Sequence, residues 1–232
     1  VSDLTQQDSW HRRVLEHKAA LMAVLSTVLV SIGGLVEIVP MFTVEQPAIA
    51  AGHGDMAPYT PLEVAGRDIY VKEGCYNCHS QMVRPFRAET KRYGTWSRAY
   101  EYQYDRPFQL GSRRIGPDLH RLGGKYPDAW HWEHMIDPRS TSPGSIMPPY
   151  TWLAEKTVDP EDVQASLTAL QTLGHPYSDA DIDGTAQALS SQAGQIIQNL
   201  STAGITAAPE SELVALIAYL QRLGDDRPEE EL

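Results

Sequence analysis

The stretch E-G-C-Y-N-C-H-S, Glu73 to Ser80, holds the only two cysteines in a chain of 232 residues. Two cysteines three apart with a histidine directly after the second restrict what can be built around them. C-x-x-C serves as a redox dithiol, as half of a zinc site, or, with the following histidine, as the attachment point of a c-type haem. A closed zinc site wants four Cys or His ligands. His131 and His134 sit three apart, so a Cys2His2 set is conceivable on spacing alone. A thioredoxin-like dithiol is expected near a βαβ pattern, and no alternation of strand and helix surrounds this motif. With haem, both thiols become thioethers and His79 is placed to ligate iron from the proximal side. Haem is the favoured reading of Cys75, Cys78 and His79; zinc and dithiol chemistry stay open.

Location is the next constraint. Residues 1–18 are polar, with Arg12, Arg13 and Lys18 near their end, and Ala19 to Phe42 then carries a single charge, Glu37. As a helix this run spans about 36 Å, enough to cross a hydrocarbon core of about 30 Å. A signal peptide is the rival, because A-I-A at Ala48 to Ala50 resembles a cleavage site, but its apolar region should be only about 7–15 residues. The expectation is a retained single-span anchor. Basic residues precede the span, and none follows it until Arg67. By the Lys/Arg bias, 1–18 is a cytoplasmic tail, 19–42 the membrane helix and the remainder lies outside, in the periplasm of a bacterium. Haem c is attached in that compartment. Residues 43–59, rich in Ala, Gly and Pro, read as a linker, and 60–232 as one periplasmic domain.

Two helical patterns bracket that domain. P-L-E-V-A-G-R-D-I-Y-V-K leads into the haem motif, with Gly66 and Tyr70 four apart on one face. Near the end, Leu213, Leu216, Ile217 and Leu220 repeat at helical spacing between a capping Ser211 and a terminating Gly224. With C-x-x-C-H, these two helices resemble class I cytochrome c, whose first and last helices cross at a small residue and pack through aromatics. The resemblance implies an all-α domain in which Gly66 permits close approach, with Tyr70, Leu216 and Tyr219 at the contact.

That family takes its sixth iron ligand from a methionine on a loop before the last helix. Of the six methionines, Met22 and Met41 belong to the span and Met56 to the linker. Met82 follows His79 too closely to reach the other haem face, and Met135 sits in a helical segment. Met147, in P-G-S-I-M-P-P-Y, lies on a loop stiffened by Pro143, Pro148 and Pro149; it is the expected distal ligand. In the same family the carbonyl of a G-P pair accepts a hydrogen bond from the proximal histidine ring. Carried over to R-R-I-G-P-D-L, that makes Pro117 the residue that orients His79.

S-Q-M-V-R-P-F-R-A-E-T, R-Y-G-T-W-S-R-A, Y-D-R-P-F-Q-L-G-S-R-R-I-G-P-D-L and D-P-R-S-T-S-P-G-S-I-M-P-P-Y narrow the likeness. So do S-I-G-G-L-V-E-I-V-P in the anchor and L-G-H-P-Y-S-D-A-D-I beyond the methionine loop. Together they resemble the mono-haem, membrane-anchored cytochrome c subunit, subunit II, of the cbb-type (C-family) haem–copper oxidases. The resemblance implies one covalently attached haem c with His/Met axial ligation. It also implies two partners, a catalytic subunit with b-type haems and copper and a di-haem cytochrome c subunit. Electrons would pass through the haem toward the catalytic subunit, where oxygen becomes water, so this chain is a non-catalytic part of an enzyme. A free-standing anchored cytochrome is the alternative, against which Glu37 and the short linker speak. A zinc-bound interaction module is the alternative from another class.

The net charge of −11 is unevenly placed. Arg84 to Lys125 holds ten Lys and Arg against four Asp and Glu, whereas Glu155 to Leu232 holds three against fourteen. Arg84, Arg87, Arg113 and Arg114 are therefore candidate partners for haem propionates or docking residues. Tyr93, Trp96, Tyr100, Tyr102 and Tyr104 among these arginines read as loop packing, since an acidic chain outside the cytoplasm is a poor nucleic-acid binder. His131 and His134 are open between the haem crevice and the surface. Residues 159–209, rich in Ala, Gln and Ser, read as a helical insertion before the last helix.

Overall fold

The computed structural model describes residues 10–43 and 56–224. Residues 1–9 of the expected tail, 44–55 of the expected linker and 225–232 lie outside the described residues. The chain divides into two compact units, one up to Ala51 and the other from Gly52 onward.

In the first unit a π-helical turn, Arg12–Glu16, precedes α1, Ala19–Thr43. The stretch Ala19–Pro40 has a mean hydropathy of 2.3 and no part of it is buried. Val24, Leu29, Val30, Leu35 and Val36 all point outward. A helix apolar on every side, with no protein covering it, is built for lipid or for another helix. The Thr27 hydroxyl donates to the Ala23 carbonyl at 2.9 Å, which satisfies a polar group that lipid could not. One helix at the N-terminal end is thus long and apolar enough to cross a membrane.

The second unit is all-helical, with no strand among its described residues, only an isolated bridge between Thr157 and Ser211. Its frame is α2, Pro61–Lys72, crossing α9, Glu212–Arg222. Pro61 sits at the first helical position, and Glu63 folds back to accept from the Thr60 N–H at 2.7 Å. Ser211 caps α9 by accepting from Val214 N at 3.3 Å, a contribution of about 1 kcal/mol. Leu213, Val214, Leu216, Ile217 and Leu220 are buried, as the spacing predicts. At the crossing a Cβ on Gly66 would collide with the Ala215 carbonyl, so only glycine lets the helices come this close. The Tyr70 and Tyr219 rings pack beside it at 5.4 Å between centroids.

Between these helices the chain makes α3 (Arg87–Tyr93), α4 (Asp128–Ile136) and α5 (Pro138–Thr141), then α6 (Pro160–Thr172), α7 (Asp179–Asp183) and α8 (Thr185–Thr202). Asp159 and Ser178 cap α6 and α7. Leu167 of α6 and Leu200 of α8 are fully buried, and their helices close over α2. Residues 80–125 have little regular structure and are held by buried polar pairs instead. Arg67 of α2 donates to Asp105 at 2.7 Å and to the Pro107 carbonyl, with both side chains of the ion pair buried. Removing one partner of such a pair typically costs about 3–5 kcal/mol, because a buried charge is stranded.

Candidate functional site

The C-x-x-C-H motif begins where α2 ends. Glu73 caps the helix, and Gly74 turns the chain with φ +72°, a conformation that a side chain disfavours. Cys75 to Asn77 then form a single 3-10 turn, in which His79 N bonds to Cys75 O at 2.9 Å. This turn sets two free thiols on one short arc, Cys75 half-buried and Cys78 exposed. Burial, reinforced by Glu73, pushes the Cys75 thiol up to about 12. A thiol so firmly protonated is a poor redox nucleophile.

The 113–119 segment wraps the other side of His79. Gly116 N donates to Cys78 O at 3.0 Å and Leu119 N to Ser80 O at 2.8 Å. A Cβ on Gly116 would fall onto the His79 imidazole, so the glycine lies flat against the ring. His79 Nδ1 is 2.8 Å from the Pro117 carbonyl, and a carbonyl only accepts; Nδ1 therefore carries the hydrogen. Nε2 keeps its lone pair and makes no hydrogen bond among the described residues. Burial lowers the His79 pKa, opposed by the Pro117 bond, which keeps the ring neutral near pH 7.

Beneath this ring lies a buried polar clamp that hydrophobic patterning did not reveal. Asp118, with no side-chain exposure, accepts from Ser80 Oγ at 2.6 Å, Met82 N at 2.8 Å and His120 N at 2.9 Å. Gln81 is held at both ends: its amide pairs with Tyr219 Oη at 3.0 Å, and its carbonyl accepts from Tyr102 Oη at 2.7 Å. The chain after the histidine is thereby tied to α9.

The arginines divide. Arg114 is committed inside, bonding Ser80 Oγ and Met82 O at 2.7 Å and pairing with Glu89 at 2.6 Å. Arg113 is exposed. Met147 is half-buried and packs against the same apolar core as Cys75 and Tyr150. Tyr150 N donates to Met135 O at 2.7 Å, which fixes the far end of the methionine loop on α4. Met135 itself is buried in the core.

His131 is buried, with Nε2 unpaired and its pKa lowered to about 4 by burial. His134 stacks on Trp130 at 4.5 Å and hydrogen-bonds Thr141 Oγ1 at 2.6 Å. Burial lowers its pKa first and nearby His79 second. Among the described residues no three His, Cys, Asp or Glu side chains gather to hold a metal, so these histidines do not complete a four-ligand set with the cysteines. Two cavities lie away from the thiols, one beside Tyr59, Glu101 and His120, the other beside Tyr126, Asp128 and Asn199.

An all-helical domain that follows a membrane-type helix in the sequence, with two free thiols and a histidine whose outer nitrogen is left open, defines a candidate haem-carrying electron-transport protein. The donor set fits such a group: thiols for attachment, an oriented imidazole for the iron. The comparisons take this further. The profile of the family described as cytochrome c oxidase, mono-heme subunit/FixO, matches residues 11–226, and the chain belongs to that family. It is therefore a subunit of a cytochrome c oxidase with one haem. No curated protein matches the chain.

Proposed function

We propose that the chain carries electrons within the oxidase through a haem c attached at Cys75 and Cys78, with His79 and Met147 as axial ligands. The carrying observation is the His79 arrangement. Pro117 holds Nδ1–H, Gly116 sets the ring plane, and the lone pair of Nε2 is presented outward. A histidine that donates its second nitrogen to a carbonyl is fixed in tautomer and made more basic. Met147, on a loop pinned through Tyr150, supplies the thioether. Bound there, the haem supplies a one-electron couple whose potential a thioether ligand raises. The protein binds, orients and shields it, and oxygen chemistry belongs to a partner.

The acceptor in this reading is a catalytic subunit with b-type haems and copper, with a di-haem cytochrome c subunit as the second partner. The chain sits in a bacterial inner membrane, tail inside and haem domain in the periplasm. The apolar α1 and the basic residues before it support that orientation. A pyridine haemochrome spectrum with iron and zinc analysis tests the cofactor. One haem c per chain and no zinc is expected, and normal haem content in a Cys75→Ala/Cys78→Ala variant would end the reading.

A further inference from the structure

The charge asymmetry of the sequence acquires a location once the loops are folded. Glu89 of α3 grips both sides of a small surface. Its carboxylate pairs with Arg114 at 2.6 Å, lies 3.8 Å from Arg84, and accepts the Arg84 N–H at 2.7 Å. This clamp brings the 84–87 turn beside the 113–115 turn. Arg114 is neutralised within it, whereas the exposed side chains of Arg87 and Arg113 make no hydrogen bond or ion pair among the described residues. With them stand two large apolar side chains turned to solvent, Phe86 at 61% and Ile115 at 58% exposure. Ile115 is the residue before Gly116, which lies on the His79 ring, so this surface adjoins the proximal side of the site.

We infer that this surface is the docking site of a mobile, acidic redox protein that exchanges electrons with the haem side of His79. The inference rests on the electron-transfer function proposed above. Aromatic and arginine side chains are the groups that anchor interfaces. Unpaired cations around a small apolar centre complement carboxylates on a partner and steer its approach. A permanent subunit contact is larger and more apolar, while electron-transfer encounters are small and rimmed by charge. Two apolar anchors among arginines match the second kind. Arg114 has a different task, since it holds the two turns together.

The test uses the full-length, haem-loaded chain in detergent. Its ferric haem is reduced by either of two small Cu(I) blue-copper proteins, one acidic and one basic; one electron passes, giving Cu(II) and Fe(II). Arg87→Glu with Arg113→Glu should slow the acidic donor about tenfold at low ionic strength. The difference should vanish near about 0.5 M salt, where surface charges are screened, and the basic donor should not slow. Phe86→Ala should slow the acidic donor at every salt concentration. Unchanged rates for the acidic donor in the double variant, with an intact haem spectrum, would overturn the inference. So would loss of oxidase subunits from complexes carrying these variants, which would make the surface a fixed interface. A wild-type chain without haem would instead overturn the underlying function.

Discussion

Gly116 packs against the His79 imidazole so closely that the glycine hydrogen occupies the only space a side chain would have. The backbone of a loop 37 residues downstream therefore sets the plane of the imidazole. Gly116→Ala should push the ring off the Pro117 carbonyl. Overpacking of this kind costs about 1–3 kcal/mol. A lower melting temperature and an altered low-spin haem spectrum are expected. Gly194→Ala is the control, because a Cβ there meets nothing and alanine favours a helix; that variant should melt no lower than wild type.

Met147 gives a test independent of the proximal side. Met147→Leu preserves the half-buried apolar bulk that packs on the core but removes the sulfur. Haem should stay attached, the potential should fall, and the far-red sulfur–iron charge-transfer band should disappear. Persistence of that band would assign the ligand elsewhere.

His175 predicts an acid-side loss of stability. It is buried between Tyr104 and Tyr177, and neither ring nitrogen has a partner. Burial, followed by the charges of Arg106 and Arg67, lowers its pKa to about 4. The unfolded chain takes up the proton near pH 6.5 and the folded chain does not. Stability is thus fully present above about pH 6.5 and declines as the pH falls toward 4. His175→Phe should flatten that part of a melting-temperature profile. An unchanged slope would place the proton uptake on another group.

Glu37 and Gly34 test the anchor. They lie one turn apart on α1, and nothing approaches within 4 Å of a Cβ on Gly33 or Gly34. A carboxylate at a bilayer centre costs about 2.5–3.5 kcal/mol, so such a group usually faces protein or water. Glycines allow a second helix to come close. Glu37→Leu with Gly34→Leu should weaken co-purification with the catalytic subunit while membrane insertion and haem content persist. Full retention of the complex would assign Glu37 to the membrane surface.

What could be read beforehand followed the kind of force involved. The apolar span, the α2 and α9 faces and the cysteine–histidine spacing are local and periodic, so they were visible in the chain. Gly66, Tyr70, Leu216 and Tyr219 could be named because the two helices resemble those of class I cytochrome c, which cross at a small residue and pack through aromatics. Asp118, Ser80, Gln81 and Glu89 could not. The first three are polar residues in irregular loops and Glu89 lies on the short helix α3, settings that usually mean solvent, and decisive partners are far away in sequence: Gln81 and Tyr219 are 138 residues apart. Arg113 and Arg114 looked alike as neighbours in a basic stretch, and the bonds of Arg114 to Glu89, Ser80 and Met82 distinguish them.

The crossing of α2 and α9 gives the domain a clasp made from its two ends. The chain between them contains the thiols, the histidine loop and the methionine loop, yet the Gly66 face of α2 stays uncovered until α9 arrives. Contacts of such long range form late, because a long loop must first be closed. A nascent chain thus presents Cys75 and Cys78 well before α9 has been made. The order of the elements leaves an interval in which both thiols stand on a domain that α9 has not yet joined.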